Sequence, residues 1–226
     1  VRKATIAFTG NLDKDFAGHK VADYQRMEAA KIRTALAWDA QYLYAGWEVR
    51  DDTPWVNGAD APEFLYARGD TVDLQLGTDP AADPKRQEAG LGDLRLSIGP
   101  FKGKPTAVIY RKVSTEKRPM AFNSGVVKNY VMECVKTLPD VRIEVNVDPV
   151  TRRYTVEAAI PLAELGLKPA AGMTIAGDFG ATHGNKEGND TALRSYWNNV
   201  ATGLVSDEVF ELKMEPANWG TLEFAE

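Results

Sequence analysis

Two tryptophans stand beside side chains that can bind a hydroxylated ligand. Trp55 follows the segment DDTP, and Trp197 lies in the segment RSYWNN. A sugar ring offers a face of C–H bonds that packs on a flat indole, and its hydroxyl groups need fixed polar partners. The guanidinium and amide groups near Trp197 are suitable hydrogen-bond donors. We therefore predict ligand contacts from Trp55, Arg194, Tyr196, Trp197 and Asn198.

Each tryptophan also has a structural interpretation. Trp197 is in phase with Leu193, so it can equally be a core residue at the end of a strand. Trp55 can plug a loop instead of facing a ligand. Trp47 shares one strand face with Leu43 and is predicted to belong to the core.

Acidic and amide side chains are concentrated in two segments that can bind a cation. Calcium takes about six to eight oxygen ligands, often from Asp, Asn and backbone carbonyls in turns. Neither segment has the EF-hand spacing, and a solvated acidic loop is the usual alternative. The predicted ligands of a structural calcium ion are Asp51, Asp52 and Asp70 in the first segment, and Asp178, Asn185 and Glu187 in the second.

The sequence contains few groups that indicate catalysis. Its two histidines, His19 and His183, lie outside any GxSxG, HExxH or P-loop motif. Paired carboxylates of the glycosidase kind are present, but ordinary proteins have them too. We therefore predict a chain without catalytic activity. Haem bound by a methionine and a histidine is a further alternative, although Met173 begins an alternating strand and is better placed in a core.

Composition narrows the class of protein. The chain has 226 residues, a net charge of −5 and a pI near 5.2, whereas nucleic-acid binders need a basic surface. Its single cysteine, Cys134, excludes an internal disulfide, and no apolar run approaches the ~18 residues of a membrane span. The sequence begins at Val1, so we expect it to be processed or cut from something larger.

The elements that must position these residues are strands, because the dominant hydrophobic period is two. In TVDLQL, Val72, Leu74 and Leu76 point one way and the polar residues the other. The segments DLRLSI, VRIEVNV and YTVEAAI alternate in the same manner, which is typical of half-buried strands. Further strands are predicted at residues 4–8, 43–49, 106–112, 173–180, 193–197 and 220–224.

Turn residues separate the strands. The segment VNVDPVTRRYTVEAAI predicts a hairpin that turns at residues 148–153, and PLAELGL predicts a short helix between Pro161 and Gly166. A second helical turn is predicted in DYQRMEAAKI. About ten short strands with so little helix indicate one all-β domain over residues 1–226. We expect an antiparallel β-sandwich of jelly-roll or immunoglobulin-like type, with one or two short helices.

The order of several segments resembles a known family. WDAQYLYAGWEVRDD, GDTVDLQLGTD, YTVEAAIPLAELGL, GMTIAGDFGATHGNKEG, RSYWNN and WGTLEF follow one another over about residues 4 to 224. This pattern is similar to carbohydrate-binding modules of family 9 and to the wider group of DOMON-like sandwiches. The resemblance implies a secreted, periplasmic or cell-surface sandwich that is linked to other domains, carries structural calcium and binds sugar chains between aromatic side chains.

The chain departs from that family at one of the two aromatic side chains, here called jaws, between which the family holds its sugar. The segment TGLVSDEVFELKMEP has no tryptophan where the family has one, and Tyr66 stands where the other jaw is expected. Three functions follow as hypotheses. The first is a non-catalytic carbohydrate-binding module with calcium. The second is a structural or protein-interaction sandwich without a sugar site, and the third is a haem-binding DOMON-like redox domain.

Overall fold

Two β-sheets form the body of the protein in this computed structural model, which describes residues 1–26, 30–201 and 208–226. The strands of these residues are β1 (Arg2–Lys3), β2 (Val21–Gln25), β3 (Lys31–Trp38), β4 (Tyr42–Arg50), β5 (Thr71–Gly77), β6 (Asp93–Phe101), β7 (Lys104–Arg111), β8 (Met120–Phe122), β9 (Tyr130–Met132), β10 (Cys134–Thr137), β11 (Arg142–Asp148), β12 (Arg153–Pro161), β13 (Thr174–Gly184), β14 (Thr191–Tyr196) and β15 (Gly220–Glu223). The helices are α1 (Leu12–Asp15), α2 (Leu162–Leu165) and α3 (Glu208–Leu212), with 3-10 helices at Pro62–Ala67 and Pro216–Asn218.

The six-stranded sheet has the order β1-β3-β4-β12-β11, and β2 also pairs with β3. The seven-stranded sheet has the order β10-β7-β6-β5-β13-β14, and β15 pairs with the other half of β13. The pairings within both sheets are antiparallel, except that β1 runs parallel to β3. Strands β8 and β9 form a separate two-stranded hairpin.

The core lies between the two sheets and is made by alternate residues of their strands. Leu74 of β5 is paired with Leu96 of β6 and Phe179 of β13, and all three face inward. From the six-stranded sheet, Trp47 of β4 and its partner Val156 of β12 meet them and are fully buried. The predicted antiparallel sandwich is therefore confirmed.

The predicted hairpin and the predicted short helix are both confirmed. The predicted hairpin is formed by β11 and β12, with Asp148 paired to Arg153. The predicted short helix is α2, which ends at Gly166 in the left-handed region with φ 67°. Among the described residues no helix is long and apolar enough to cross a membrane.

Two predictions near the N-terminus are wrong. The segment 4–8 is not a strand, because the chain leaves the sheet after Ala4 donates its N–H to the Trp38 carbonyl, 2.8 Å away, and Ile6 then packs outside the six-stranded sheet. The segment DYQRMEAAKI, predicted as a helical turn, begins within β2. Antiparallel pairing of β2 with β3 overrides the local helix propensity. Residues 27–29 of that segment lie outside the described residues.

A second layer covers the outer face of the seven-stranded sheet. The 3-10 helix at Pro62–Ala67, the β8–β9 hairpin and α3 form this layer, and the apolar cluster beneath it includes Tyr66, Tyr110, Phe122, Met132, Leu212 and Trp219. The polar face of β5 and β6, predicted as exposed, is therefore buried as well. The alternating pattern distinguishes two faces but does not tell whether another layer covers the second one.

The N-terminal segment covers part of the six-stranded sheet. Helix α1 begins after Asn11, whose side-chain oxygen accepts the N–H of Lys14 at 3.1 Å. Leu12 and Phe16 then pack directly on Gly46 of β4, where a Cβ atom would lie 2.5 Å from the Phe16 ring. Glycine is needed at this position because the helix approaches the strand so closely.

Candidate functional site

The candidate site lies on the outer face of the seven-stranded sheet, beneath its covering layer. Strands β5, β6 and β14 turn alternate polar residues to this face, and the antiparallel register places those residues side by side. They remain almost completely buried, with exposed fractions between 0% and 5%. We call the following five residues the polar cradle: Asp73, Gln75, Arg95, Arg194 and Tyr196.

Asp73 is the centre of the polar cradle. One of its carboxylate oxygens, Oδ2, lies 2.6 Å from Nη2 of Arg95 and also accepts the hydroxyl hydrogen of Tyr196. Gly180 makes the second contact possible, since it pairs with Asp73 on one side and Tyr196 on the other. A Cβ atom at Gly180 would lie 2.8 Å from Cδ1 of Tyr196, so only glycine lets the tyrosine ring cross β13 at this point.

Glu211 of α3 closes the polar cradle from above. Its backbone carbonyl accepts hydrogen bonds from Nη1 of Arg95 at 2.6 Å and from Nη1 of Arg194 at 3.1 Å. Its carboxylate Oε2 lies 2.5 Å from Nη2 of Arg194. Two arginines and two carboxylates therefore meet in a buried network whose formal charges balance.

Burial governs the electrostatics of this network. It raises the pKa of the Tyr196 hydroxyl, an effect that the charge of Arg95 only partly opposes, so the hydroxyl stays protonated and can donate to Asp73. Burial also raises the pKa of the Glu211 carboxyl, against the charges of Arg194 and Arg95. It lowers the pKa of Arg194, and the charge of Arg95 acts in the same direction. The Nε atom of Arg194 is buried without a hydrogen-bond partner among the described residues.

Aromatic side chains lie directly against the polar cradle. The 3-10 helix at Pro62–Ala67 places the ring of Tyr66 5.5 Å from the guanidinium carbon of Arg95, a cation–π distance. Trp219 donates its indole N–H to Oε1 of Gln75 at 2.9 Å. The cradle thus combines fixed polar groups with aromatic side chains in one buried cluster.

The structure brings together three of the six ligand residues predicted from the sequence. Tyr66, Arg194 and Tyr196 meet in or beside the polar cradle. Trp197 does not, because it points to the inner face and stacks on Phe179, with ring centroids 4.9 Å apart and planes at 11°. Its alternative interpretation as a core residue at a strand end describes this position.

The other two predicted ligand residues also lie away from the polar cradle. The side-chain amide of Asn198 donates to the backbone carbonyl of Asn218 at 2.9 Å and is exposed. Trp55 has a positive φ of 62° and packs on Tyr154, with ring centroids 5.1 Å apart. It belongs to the loop after β4, where it plugs the end of the sandwich.

Two of the first three predicted calcium ligands lie in one buried corner beside this loop. Asp51 accepts the N–H of Thr53 at 2.7 Å and lies 2.8 Å from Nδ1 of His183. Burial acts to raise the pKa of Asp51, but its hydrogen bond and charge interaction with His183 outweigh this and lower it. The third residue, Asp52, is exposed and pairs with Arg152 at 2.8 Å.

Asp70 occupies the same corner with different partners. Its two oxygens accept the backbone N–H groups of Val56 at 2.8 Å and Gly184 at 2.6 Å. Burial, together with the charge of Asp51, raises the pKa of Asp70 to about 7. These contacts fix the loop after β4 to the end of β13.

The second predicted calcium set is dispersed, and its grouping is wrong. Asp178 lies within β13 and accepts the backbone N–H groups of Asn198 at 3.0 Å and Asn199 at 2.8 Å; burial raises its pKa to about 6. Asn185 and Glu187 follow the far end of β13, roughly 23 Å away at ~3.3 Å per residue. A sequence cluster that spans a strand is drawn apart by the extension of that strand.

The six predicted calcium ligands do not form a single cluster of side chains. No group of three or more His, Cys, Asp and Glu side chains in the described parts of the chain is arranged to hold a metal. At the buried corner, each carboxylate oxygen of Asp51 and Asp70 already has a protein partner, an N–H group or His183.

The residues considered for haem are also separated. Met173 packs against the core between the two sheets, as its place in an alternating strand predicts. His183 is bound to Asp51, and His19 packs on Phe16 on the other side of the sandwich, with ring centroids 6.0 Å apart.

Comparison with known proteins places the fold. No protein-family model matches the sequence, and no curated protein matches it. Among solved structures, a family 9 carbohydrate-binding module from Caldicellulosiruptor kristjanssonii in complex with cellotriose has a TM-score of 0.63 and 15% sequence identity, over 100% of this chain and 92% of that one. The chain shares the fold of carbohydrate-binding module family 9. The resemblance inferred from the sequence is thus confirmed at the level of the fold.

Two further structures match the family 9 fold of this chain. The C. kristjanssonii module in complex with glucose has a TM-score of 0.55 and 14% identity, over 99% of this chain and 93% of that one. A protein from Bacteroides uniformis has a TM-score of 0.52 and 11% identity, over 99% and 98% of the two chains. Residues 202–207 are the first part of the segment TGLVSDEVFELKMEP, in which the resemblance implies a tryptophan that this sequence lacks, and they lie outside the described part of this chain.

Sequence reasoning missed Asp73, Gln75, Arg95 and Glu211 as site residues. For three of them the sequence shows only that a charged pair and an amide share the polar face of two alternating strands, which is also the pattern of a solvated face. Glu211 gave no such signal. It reaches the site only because α3 folds over a sheet that is formed by distant segments.

Proposed function

We propose that the chain is a non-catalytic carbohydrate-binding module whose sugar site is the polar cradle. The observation that carries this proposal is the concentration of buried charged and amide groups on one face of a central sheet. Burying such groups costs several kcal/mol each unless they are fully paired, and a sandwich needs none of them for its core. Two solved structures that share the fold are complexes with cellotriose and with glucose.

The chemistry of the polar cradle suits sugar hydroxyl groups. Arg95, Arg194 and Gln75 provide N–H donors, and Asp73 provides an acceptor whose orientation is fixed by two partners. Tyr66 and Trp219 are the aromatic side chains beside the cradle, and both are buried. Both carboxylates of the network are paired with arginines, an arrangement suited to holding a ligand rather than to transferring protons. We also propose a secreted, periplasmic or cell-surface location, where such a module would meet polysaccharides.

Calorimetry and a glycan array test this function. We expect the array to identify a bound sugar, and Gln75→Met, which keeps the side-chain volume, to weaken its binding by about tenfold. Trp55→Phe is the matched control, because Trp55 packs at the end of the sandwich outside the cradle. If Trp55→Phe weakens binding and Gln75→Met does not, the site lies at Trp55. Absence of binding to every glycan would refute the function.

One observation favours a structural or protein-interaction role as the second candidate. Glu211 already pairs with Arg194, so the polar cradle is closed by the protein itself. In that case Gln75→Met would lower the melting temperature without changing binding to any sugar. Because Gln75 accepts the Trp219 indole N–H in either case, Gln75→Met should lower the melting temperature for both candidates, and the sugar binding of this variant distinguishes them.

A further inference from the structure

An open groove of about 430 Å³ lies on the outer face of the six-stranded sheet, on the other side of the sandwich from the polar cradle. Charged side chains of β2, β3, β4 and β12 line it, together with Asp13 of α1. Its volume is within the range of sites that hold small ligands. The groove is open to solvent, since Asp23 and Arg153 keep 50% and 51% of their side-chain surface exposed.

One row of residues across the groove is matched in charge. Asp23 of β2, Arg33 of β3 and Glu48 of β4 are cross-strand partners, and their charges alternate in sign. Arg33 lies 3.4 Å from Glu48 and also donates to the carboxylate of Asp13 at 3.0 Å. We call Asp23, Arg33 and Glu48 the paired row. Opposite charges on facing positions stabilise a sheet, so the fold by itself accounts for this row.

The neighbouring row carries only positive charges. Arg50 of β4 is the cross-strand partner of Arg153 of β12. Lys31 of β3 lies on the other side of Arg50, because the residues next to them, Ile32 and Val49, are paired. We call Lys31, Arg50 and Arg153 the cationic row. Like charges on facing positions destabilise a sheet, so the fold gives no reason for this row.

Arg50 is the member of the cationic row without a counter-ion. Lys31 lies 3.2 Å from Asp23, and Arg153 lies 3.3 Å from Glu48. The exposed side chain of Arg50 makes no hydrogen bond or ion pair with any residue that the structure describes. Its guanidinium can therefore bind the oxygens of an anionic group through parallel hydrogen bonds, and the two flanking cations would add to the attraction.

The paired row favours one kind of anionic ligand. Its contacts leave Oδ1 of Asp23 and Oε2 of Glu48 without a partner in the described part of the chain, and carboxylate oxygens accept hydrogen bonds from hydroxyl groups. The same carboxylates, and the net charge of −5, repel a long polyanion such as a nucleic acid. An acidic saccharide suits both rows, because it carries anionic groups as well as hydroxyl groups.

We infer that this groove is a second binding site, which takes a saccharide that carries carboxylate or sulfate groups. Arg50 is the residue that determines this specificity, and Lys31 and Arg153 strengthen the attraction. Asp23 and Glu48 accept hydrogen bonds from the hydroxyl groups of the ligand. The site lies on a different sheet from the polar cradle and does not rest on the function proposed for the cradle.

Calorimetry on the full chain tests the second site with matched probes. Trigalacturonate has a carboxylate on each sugar, and its fully methyl-esterified form has the same backbone without the charges. We expect trigalacturonate to bind at least about tenfold more tightly than the ester, and its affinity to fall as the ionic strength rises. Sulfated cellotriose distinguishes the two sources of negative charge, because the tighter-binding acidic probe identifies the group that the cationic row prefers.

Substitutions locate the binding of the acidic probe. Arg50→Gln removes the cation without a counter-ion, so we expect the affinity to fall by about tenfold. Because it also removes a like charge facing Arg153, its melting temperature should equal or exceed that of the wild type. Arg118→Gln is the matched control, since Arg118 is an exposed arginine beside β10 of the other sheet, and it should leave the affinity unchanged within about twofold. Gln75→Met in the polar cradle should not change this affinity either.

The outcomes separate the second site from the proposed function. Equal binding of trigalacturonate and its ester together with no binding of sulfated cellotriose, or full affinity of Arg50→Gln, would overturn the second site. So would a lower melting temperature of Arg50→Gln, which would give Arg50 a structural role. If Gln75→Met abolishes binding of the acidic probe and Arg50→Gln does not, the ligand lies in the polar cradle and only the second site fails. If the acidic probe depends on Arg50 and no neutral glycan binds, the second site stands and the cradle is not a sugar site. Circular dichroism of each variant establishes that it is folded.

Discussion

Asp73 gives the polar cradle its geometry, because one of its carboxylate oxygens accepts hydrogen bonds from both a guanidinium and a hydroxyl group. Arg95 approaches it along the sheet from β6, and Tyr196 reaches it across Gly180 from β14. Since all three are buried, the loss of any partner leaves an unsatisfied polar group and not a solvated one.

The first prediction at the residue scale concerns Tyr196→Phe. This change removes only the hydroxyl that donates to Asp73, so we expect the free energy of unfolding to fall by about 1–3 kcal/mol in urea denaturation. Tyr130→Phe, at a partly buried tyrosine of the β8–β9 hairpin, should change it by less than about 0.5 kcal/mol. Equal stability of the two variants would show that the Tyr196 hydroxyl contributes nothing to the network.

The second prediction concerns the pH dependence of stability through Glu157. Burial, with the nearby carboxyl of Asp15, raises the pKa of Glu157 to about 7, above the ordinary value of 4.5. The folded state therefore holds this proton more tightly than the unfolded state. The stabilising contribution is complete below pH 4.5 and is lost as the pH rises through about 7.

Urea denaturation between about pH 5 and pH 8 checks this effect. Glu157→Gln keeps an acceptor for the N–H of Gly10 and cannot ionise, so its stability should fall by roughly 1–2 kcal/mol less than that of the wild type over this range. Parallel pH profiles for the two proteins would contradict the raised pKa of Glu157.

At the scale of elements, α1 depends on the absence of a side chain on β4. In Gly46→Ala, the added methyl group would meet the Phe16 ring at 2.5 Å and Leu12 at 2.6 Å, so the helix must shift outward. Overpacking of this kind costs about 1–3 kcal/mol, which we expect to see as a lower melting temperature. Gly90→Ala is the matched control, since a Cβ atom there has nothing within 4 Å. The same melting temperature for both variants would mean that α1 is not held on β4.

The loop after β4 is held by protein groups, so we expect calcium to have little effect on it. Asp51 and Asp70 fix this loop through N–H groups and His183. Thermal unfolding in about 1 mM calcium and in excess EDTA should therefore give melting temperatures within about 2 °C of each other. A calcium ion bound about a hundredfold above its Kd would instead raise the melting temperature by several degrees, which would restore the calcium site inferred from the family. Magnesium at the same concentration is the control for ionic strength.

At the scale of the whole molecule, the seven-stranded sheet is covered on both of its faces. The inner face of the seven-stranded sheet packs in the core, and its outer face is covered by the 3-10 helix, the hairpin and α3. The covered outer face contains both an apolar cluster and the polar cradle. The core between the two sheets is almost entirely apolar. Under the proposed function, the outer face would serve recognition and the inner face stability.

The sequence by itself determined the sandwich, because strict alternation in segments such as TVDLQL and VRIEVNV admits only strands with one apolar face. It also determined the hairpin at residues 148–153 and the end of α2 at Gly166, since turn and cap residues act locally. Only the tertiary structure decided that Trp197 faces the core and that Glu211 meets Arg194. Those outcomes depend on which distant strands become neighbours and on which layer covers them, and hydrophobic periodicity along one strand contains neither.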